Sequence, residues 1–245
     1  MSLDTLRTAA QFVKNLRVNW AHYHLMPSDF VESVSDVSPS FLRERSIEGI
    51  VWDVDNTLME YHGTAVDPSV LVAFQALRNI PQVVLSNSDD MRYRALGTIF
   101  PTTPVLRVYA PKKSSGKTAP LFQQLVAYTS TLRDGYPANG FTLLEESLAD
   151  MVPLPKHPFL RDFYALRKPH PLVFRYAAAV LGKDVSHIAV IGDRASTDIS
   201  GGNQAGMYTI KVAPLRQETE PFLAGVARWC EVTVMAGHAY RLRRS

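Results

Sequence analysis

From Ile47 onward the chain alternates short apolar runs with segments of helical length. The runs are IEGIVWD (47–53), PQVVLS (81–86), PVLRVY (104–109), HIAVIG (187–192) and YTIKVA (208–213). Runs this short and this apolar predict strands buried on both faces. Helices are predicted between them near 68–79, 89–98, 171–182 and 198–205. That order implies an α/β fold: a parallel sheet with helices on both faces. In such sheets ligands gather beyond the carboxyl ends of the strands. The residues that close the runs should therefore be polar and mutually complementary, and they are. The first run closes on Asp53-Val-Asp55-Asn-Thr57, the second on Ser86-Asn87-Ser88, and the fourth on Gly192-Asp193.

The remaining chain is organised around this core of 46–110 and 166–216. Residues 1–45 form an entry segment whose stretch 5–20 reads as an amphipathic helix, with Leu6, Ala9, Phe12, Val13, Leu16 and Trp20 on one face. A core contact is the plainer use of that face; docking on anionic lipid is the other. Residues 111–165 interrupt the rhythm and are richer in Pro, Gly and Ser. They read as an insertion between the third strand and Lys168, able to act as a lid, with helices near 119–132 and 143–151. Residues 217–245 form a tail, helical from Pro221, that ends in RLRR.

Composition excludes several classes. Lys and Arg number 26 against 23 acidic residues, a net charge of +3 without a concentrated basic face, so no nucleic-acid partner is expected. The lone Cys230 excludes an internal disulfide, and no Cys/His zinc spacing is present. No apolar stretch is long enough to span a bilayer as a helix, and the first residues lack the apolar run of a secretory signal. A cytoplasmic protein is expected, with peripheral membrane contact as a further option.

The chemistry starts from DVDNT. Two carboxylates two positions apart on a tight loop can divide labour, one attacking phosphorus while the other gives and takes the proton. Carboxylates so close repel, and Mg²⁺, which favours hard oxygen ligands, is the cation that would let them coexist. Ser86 offers a hydroxyl and neighbouring N–H groups to a phosphoryl oxygen. Lys168, in RKPHP, stands just before a helix beginning near Pro171 and can neutralise phosphate charge. Asp193 suits a direct metal ligand, and Asp198 a partner acting around it or through water. Gly201, Gly202 and Gly206 permit tight turns and close packing nearby.

The order DxDxT, strand-terminal Ser, Lys and GDxxx(T)D resembles the haloacid dehalogenase (HAD) superfamily, and most nearly its subclass IIIA, the YqeG-like phosphatases. Residues 25–58 resemble that family's entry segment, and 167–212, GGN included, its exit half. The resemblance implies a HAD-like Rossmannoid sheet and a Mg²⁺-dependent phosphatase. Asp53 would be the nucleophile and a metal ligand. Asp55 would be the acid/base, with its backbone carbonyl on the metal, and Thr57 would orient the loop. Ser86, Asn87 and Lys168 would hold the phosphoryl group, with Asp193 and Asp198 completing the metal site. Related members resemble phosphatidylglycerophosphate phosphatases, so an anionic phosphomonoester, a phospholipid headgroup included, is the expected substrate.

Rival readings are weaker on the residues. SSGKT (114–118) ends like a phosphate-binding loop, but Pro111 stands where its first glycine belongs, and proline has neither the N–H nor the turn geometry. Lys112 and Lys113 follow the third strand and compete with Lys168 for the lysine role, but their neighbours do not match the family. A phosphoacceptor or scaffold that retains the fold without turnover is the remaining alternative. A dehalogenase would need neither Asp55 nor a metal pair.

Overall fold

The computed structural model describes residues 24–87, 90–109, 124–128, 168–169, 171–216, 225, 228–229 and 231–233. Its centre is a seven-stranded sheet. The strands are β1 (Asp29–Val31), β2 (Gly49–Trp52), β3 (Gln82–Ser86), β4 (Val105–Tyr109), β5 (Gln124–Tyr128), β6 (Ile188–Gly192) and β7 (Tyr208–Val212). Their spatial order is β1-β7-β6-β2-β3-β4-β5, parallel throughout except for β5 against β4. Each apolar run of the sequence contains one of these strands.

The helices are α1 (Pro39–Glu44), α2 (Pro68–Ala76), α3 (Asp90–Ile99), α4 (Pro171–Leu181) and α5 (Ser200–Ala205). Side-chain caps set the starts of α2, which the sequence predicts, and of α1, which it does not. Ser38 accepts from Phe41 N and Asp67 from Ser69 N, each followed by a proline at the first helical position. Alternate side chains of each strand enter opposite cores. Ile50 and Trp52 join Leu42, Val70, Leu77, Leu96 and Phe100 on one face. Val51, Val83 and Leu85 join Val173, Phe174, Ala177 and Ala205 on the other. Helices thus cover both faces, and the strands are buried accordingly.

Two short strands escaped the sequence reading. β1 has only three residues and extends the β7 edge. β5 corrects the helix expected over 119–132: residues 124–128 are extended and pair antiparallel along β4. The open edge of β4 offers a row of unpaired backbone groups, and Val126 and Tyr128 are strand-favouring types, so pairing overrides the helical spacing. The helix expected over 5–20, that at 143–151 and most of the insertion at 111–165 lie outside the described residues. Of the tail, Gly225, Arg228, Trp229, Glu231, Val232 and Thr233 are helical. No helix among the described residues is long and apolar enough to cross a membrane.

The chain runs outward from β2 through β3 to β4, then returns to lay β6 on the other side of β2 and β7 beyond it. The sheet direction therefore reverses between β2 and β6, where such folds leave a crevice for ligands. Asp53 follows β2 and Asp193 follows β6.

Candidate active site

Asp53 continues the β2 pairing by one hydrogen bond, from its N–H to Ile191 O at 2.9 Å. The chain then turns sharply: Asn56 takes the left-handed conformation at φ 63°, and the N–H groups of Thr57 and Leu58 return to Val54 O. Asparagine tolerates that conformation better than most residues. The turn is braced from the far side by Leu215 N donating to Asn56 O at 3.0 Å. It brings the Thr57 hydroxyl to 3.0 Å from Asp53 Oδ2, to which it donates.

Lys168 comes from the other half of the fold. Its Nζ lies 2.5 Å from Asp53 Oδ1 and 2.7 Å from Asp198 Oδ1, at 5% exposure. Its backbone is clamped by Asn87, whose Nδ2 donates to Lys168 O at 3.1 Å and whose Oδ1 accepts from Lys168 N at 3.0 Å. The Asn87 side chain, expected on the phosphoryl group, places the lysine and also lines the cavity that holds it. Ser86 ends β3 and is buried beside it. Lys112 and Lys113, the rival lysines, lie outside the described residues.

Asp193 follows β6, and a π-helical turn over Ala195–Ile199 carries Asp198 back over the strand end. Such turns recur at functional sites because the extra residue re-aims a side chain. One carboxylate oxygen from each of Asp53, Asp193 and Asp198 lies within 4.8 Å of the others. Asp198 Oδ2 accepts from Arg194 N at 3.2 Å. Asp193 Oδ2 is 2.5 Å from Arg228 Nη2, but Asp193 Oδ1 is buried with no hydrogen-bond partner among the described residues.

The electrostatics show what this cluster lacks. Burial pushes the Asp193 carboxyl up to about 8, the nearby Asp53 charge adds to that, and Arg228 opposes it. Burial and Asp53 likewise raise Asp198 above the usual carboxylate range, against Lys168. Burial pushes the Lys168 pKa down, but Asp198 and Asp53 together outweigh it and hold the ammonium above the ordinary lysine range. Three crowded acids and an orphaned carboxylate oxygen suit a hard divalent cation, which would reverse the penalty on both aspartates.

Asp55 stands apart from the three. Its Oδ1 accepts from Arg92 Nη2 at 3.0 Å and from His62 N at 2.9 Å. Asp53, Asp55, Ser86, Lys168, Asp193 and Asp198 all line one cavity of about 260 Å³, with Arg92, His62 and Thr197 on its wall. A larger groove of about 640 Å³, lined by Phe74, Ile80, Pro101 and Leu181 among others, shares none of these residues.

Arg92, Arg228, Glu231 and Lys211 were not singled out from the sequence. Each sits within a helix or strand rather than at the end of an apolar run. Only an ion-pair partner for Asp193 could have been demanded in advance, and many arginines would have met that demand.

Comparisons with known proteins agree with this geometry. The HAD-hydrolase-like family model matches residues 165–214, the stretch that holds Lys168, Asp193 and Asp198. The probable phosphatase YqeG of Bacillus subtilis is 24% identical over 192 residues, covering 78% of this chain and 78% of that protein. A glyceraldehyde 3-phosphate phosphatase of Methanocaldococcus jannaschii is 24% identical over 195 residues, covering 68% of this chain and 85% of that one. Among solved structures, NagD from E. coli K-12 overlays with a TM-score of 0.40 at 16% identity, covering 72% of this chain and 93% of that one, too loosely to inform the site. With the matched stretch supplying one side of the crevice and the YqeG similarity running through most of the chain, the protein is similar to HAD-like hydrolases, and the named relatives are phosphatases.

Proposed function

We propose that the protein is a Mg²⁺-dependent phosphomonoester phosphatase working through an aspartyl-phosphate on Asp53. The observation that carries this reading is the meeting of Asp53, Asp193 and Asp198 within 4.8 Å, with the Lys168 ammonium against two of them. Asp53 and Asp193, with Asp198 alongside, would hold the Mg²⁺, which would supply the positive charge that lets a carboxylate and a phosphate dianion approach one another. The rest falls to the chain's own side chains. Thr57 holds Asp53 Oδ2 and so fixes the plane of the attacking carboxylate. Lys168 neutralises the acids at rest and offers its remaining donor to a phosphoryl oxygen, aided by Ser86 at the end of β3. Asp53 attacks phosphorus in line, and the P–O bond to the leaving alkoxide breaks as Asp55 gives it a proton. Asp55 then takes a proton from the water that cleaves the acyl phosphate, freeing Asp53 and inorganic phosphate.

The substrate class is an anionic phosphomonoester, with a phospholipid headgroup phosphate leading. The family resemblance and the cationic ends of the sequence motivate that choice. A small soluble triose phosphate is the alternative suggested by the named relatives. A catalytically weak phosphoacceptor remains the reading of a different class.

The deciding experiment measures phosphate release from a substrate panel containing phosphatidylglycerophosphate and glyceraldehyde 3-phosphate, with Mg²⁺ and with EDTA. Turnover should require Mg²⁺ and fall by roughly a thousandfold or more in Asp53→Asn. Undiminished turnover in that variant would rule out covalent catalysis there. Absence of turnover across the panel would favour the phosphoacceptor.

A further inference from the structure

Arg228 and Glu231 lie three positions apart in the helical part of the tail, on one face. Both are charged, and both are buried, at 7% and 1% exposure. Buried charges are costly unless paired, and these pair with one short segment, residues 193–196. Arg228 donates from Nη2 to Asp193 Oδ2 at 2.5 Å and from Nη1 to Asp193 O at 3.1 Å. Glu231 accepts from Ala195 N at 3.0 Å, from the Ser196 hydroxyl and from Arg194 Nε at 3.4 Å. Lys211 of β7 donates to the same Asp193 carbonyl at 2.8 Å. The Asp193 carboxylate is thereby divided: Oδ2 is held by the tail, and Oδ1, in the acidic cluster, has no hydrogen-bond partner among the described residues.

We propose that Arg228 and Glu231 are positioning residues of the cation site, which makes the tail helix a working part of that site. The inference rests on reading Asp53 and Asp193 as cation ligands. The two-pronged guanidinium contact fixes the rotation of the Asp193 carboxylate, so that a single oxygen is presented to the ion. Glu231 does the same for the backbone, pinning the start of the turn that carries Asp198. Such outer partners of metal ligands typically account for about 10–100-fold in metal affinity. Charge alone argues for the opposite sign at Arg228. Deleting a cation beside three carboxylates should tighten the hold on a divalent ion. The direction of the change therefore separates positioning from simple competition.

The test is calorimetric titration of Mg²⁺ into the full chain, in wild type, Arg228→Gln, Arg228→Lys and Glu231→Gln, with Asp193→Asn as control. Positioning predicts a dissociation constant about tenfold higher in Arg228→Gln and Glu231→Gln. Arg228→Lys, which keeps the charge but loses the fork, should be weakened less, though still below wild type in affinity. Should Arg228→Gln not fold, the other two variants decide. Wild-type or tighter Mg²⁺ binding in Arg228→Lys together with either glutamine variant overturns the proposal. A wild-type chain that takes up no Mg²⁺ would instead remove the cation-site reading on which it stands.

Discussion

Gly192 closes β6 beneath the side chain of Asp198. A Cβ built there would lie 2.5 Å from Asp198 Cγ and 2.6 Å from its Cβ, closer than such atoms ever pack. The glycine is therefore what lets Asp198 fold back over the strand and reach Lys168. Gly192→Ala should push the carboxylate out of the cluster and lower kcat by at least about tenfold. The check is steady-state kinetics beside thermal melting of the same variant. Asp193 supports a second prediction. In the metal-free folded chain it keeps its proton up to about pH 8, whereas in the unfolded chain it loses it near the ordinary carboxylate value. Between those limits the folded state binds the extra proton, so stability falls as pH rises through that window. Melting in EDTA should show the midpoint dropping from pH 5 to pH 8, and excess Mg²⁺ should shrink the drop. A midpoint that rises over the same interval would mean that Asp193 is ionised without a metal.

At the level of elements, the parts legible in the sequence were those whose structure follows from local physics. β2, β3, β4, β6 and β7 are short apolar runs, and a parallel sheet buried on both faces requires such runs. Their polar closing residues follow from the same geometry, which is why Asp53, Ser86 and Asp193 could be named; Lys168 and Asp198, which close no strand, were named from the chemistry and order of their motifs, and all five lie on one cavity. Elements set by long-range pairing were not legible. β5 takes its form from the edge of β4, and its segment was read as a helix. Arg92 reaches Asp55 from α3, and Arg228 reaches Asp193 from the tail. No spacing rule links either pair. Asn203 of α5 lies between these extremes. Its place in GGN was noted, but its task emerges only in three dimensions: Nδ2 donates to His24 O at 2.7 Å and Met26 O at 2.8 Å, while Oδ1 accepts from Thr209 Oγ1 at 2.8 Å. It thus ties the entry segment to β7, far from the carboxylates. Asn203→Ala strands those partly buried groups, which should cost about 1–3 kcal/mol in denaturant unfolding with kcat nearly unchanged. A large loss of kcat at full stability would place Asn203 in the chemistry instead.

The whole molecule is built around an electrostatic conflict that the sheet's topology creates. Reversal of strand order between β2 and β6 sets the ends of two distant stretches of chain side by side, and each end brings acid: Asp53 from one stretch, Asp193 and Asp198 from the other. Lys168 and Arg228 relieve part of the repulsion, yet Asp193 and Asp198 still sit above the usual carboxylate range. In the absence of a cation the fold is therefore less stable than its packing alone would make it. A ligand that binds only the folded state adds stability by mass action, about 2.7 kcal/mol when present at roughly a hundred times its dissociation constant. Mg²⁺ at that excess should accordingly raise the unfolding free energy of the wild type by about that amount. Above pH 8, where Asp193 is ionised, Asp193→Asn removes one of the opposed charges, so in EDTA at about pH 9 it should melt at or above the wild-type temperature. The same variant should gain little from Mg²⁺, because the orphaned oxygen that would receive the ion is gone. Paired melting curves of the two proteins, each with EDTA and with Mg²⁺, measure both effects at once. If Asp193→Asn instead melts below the wild type in EDTA, the Arg228 pairing outweighs the crowding of the acids, and the conflict lies elsewhere in the cluster.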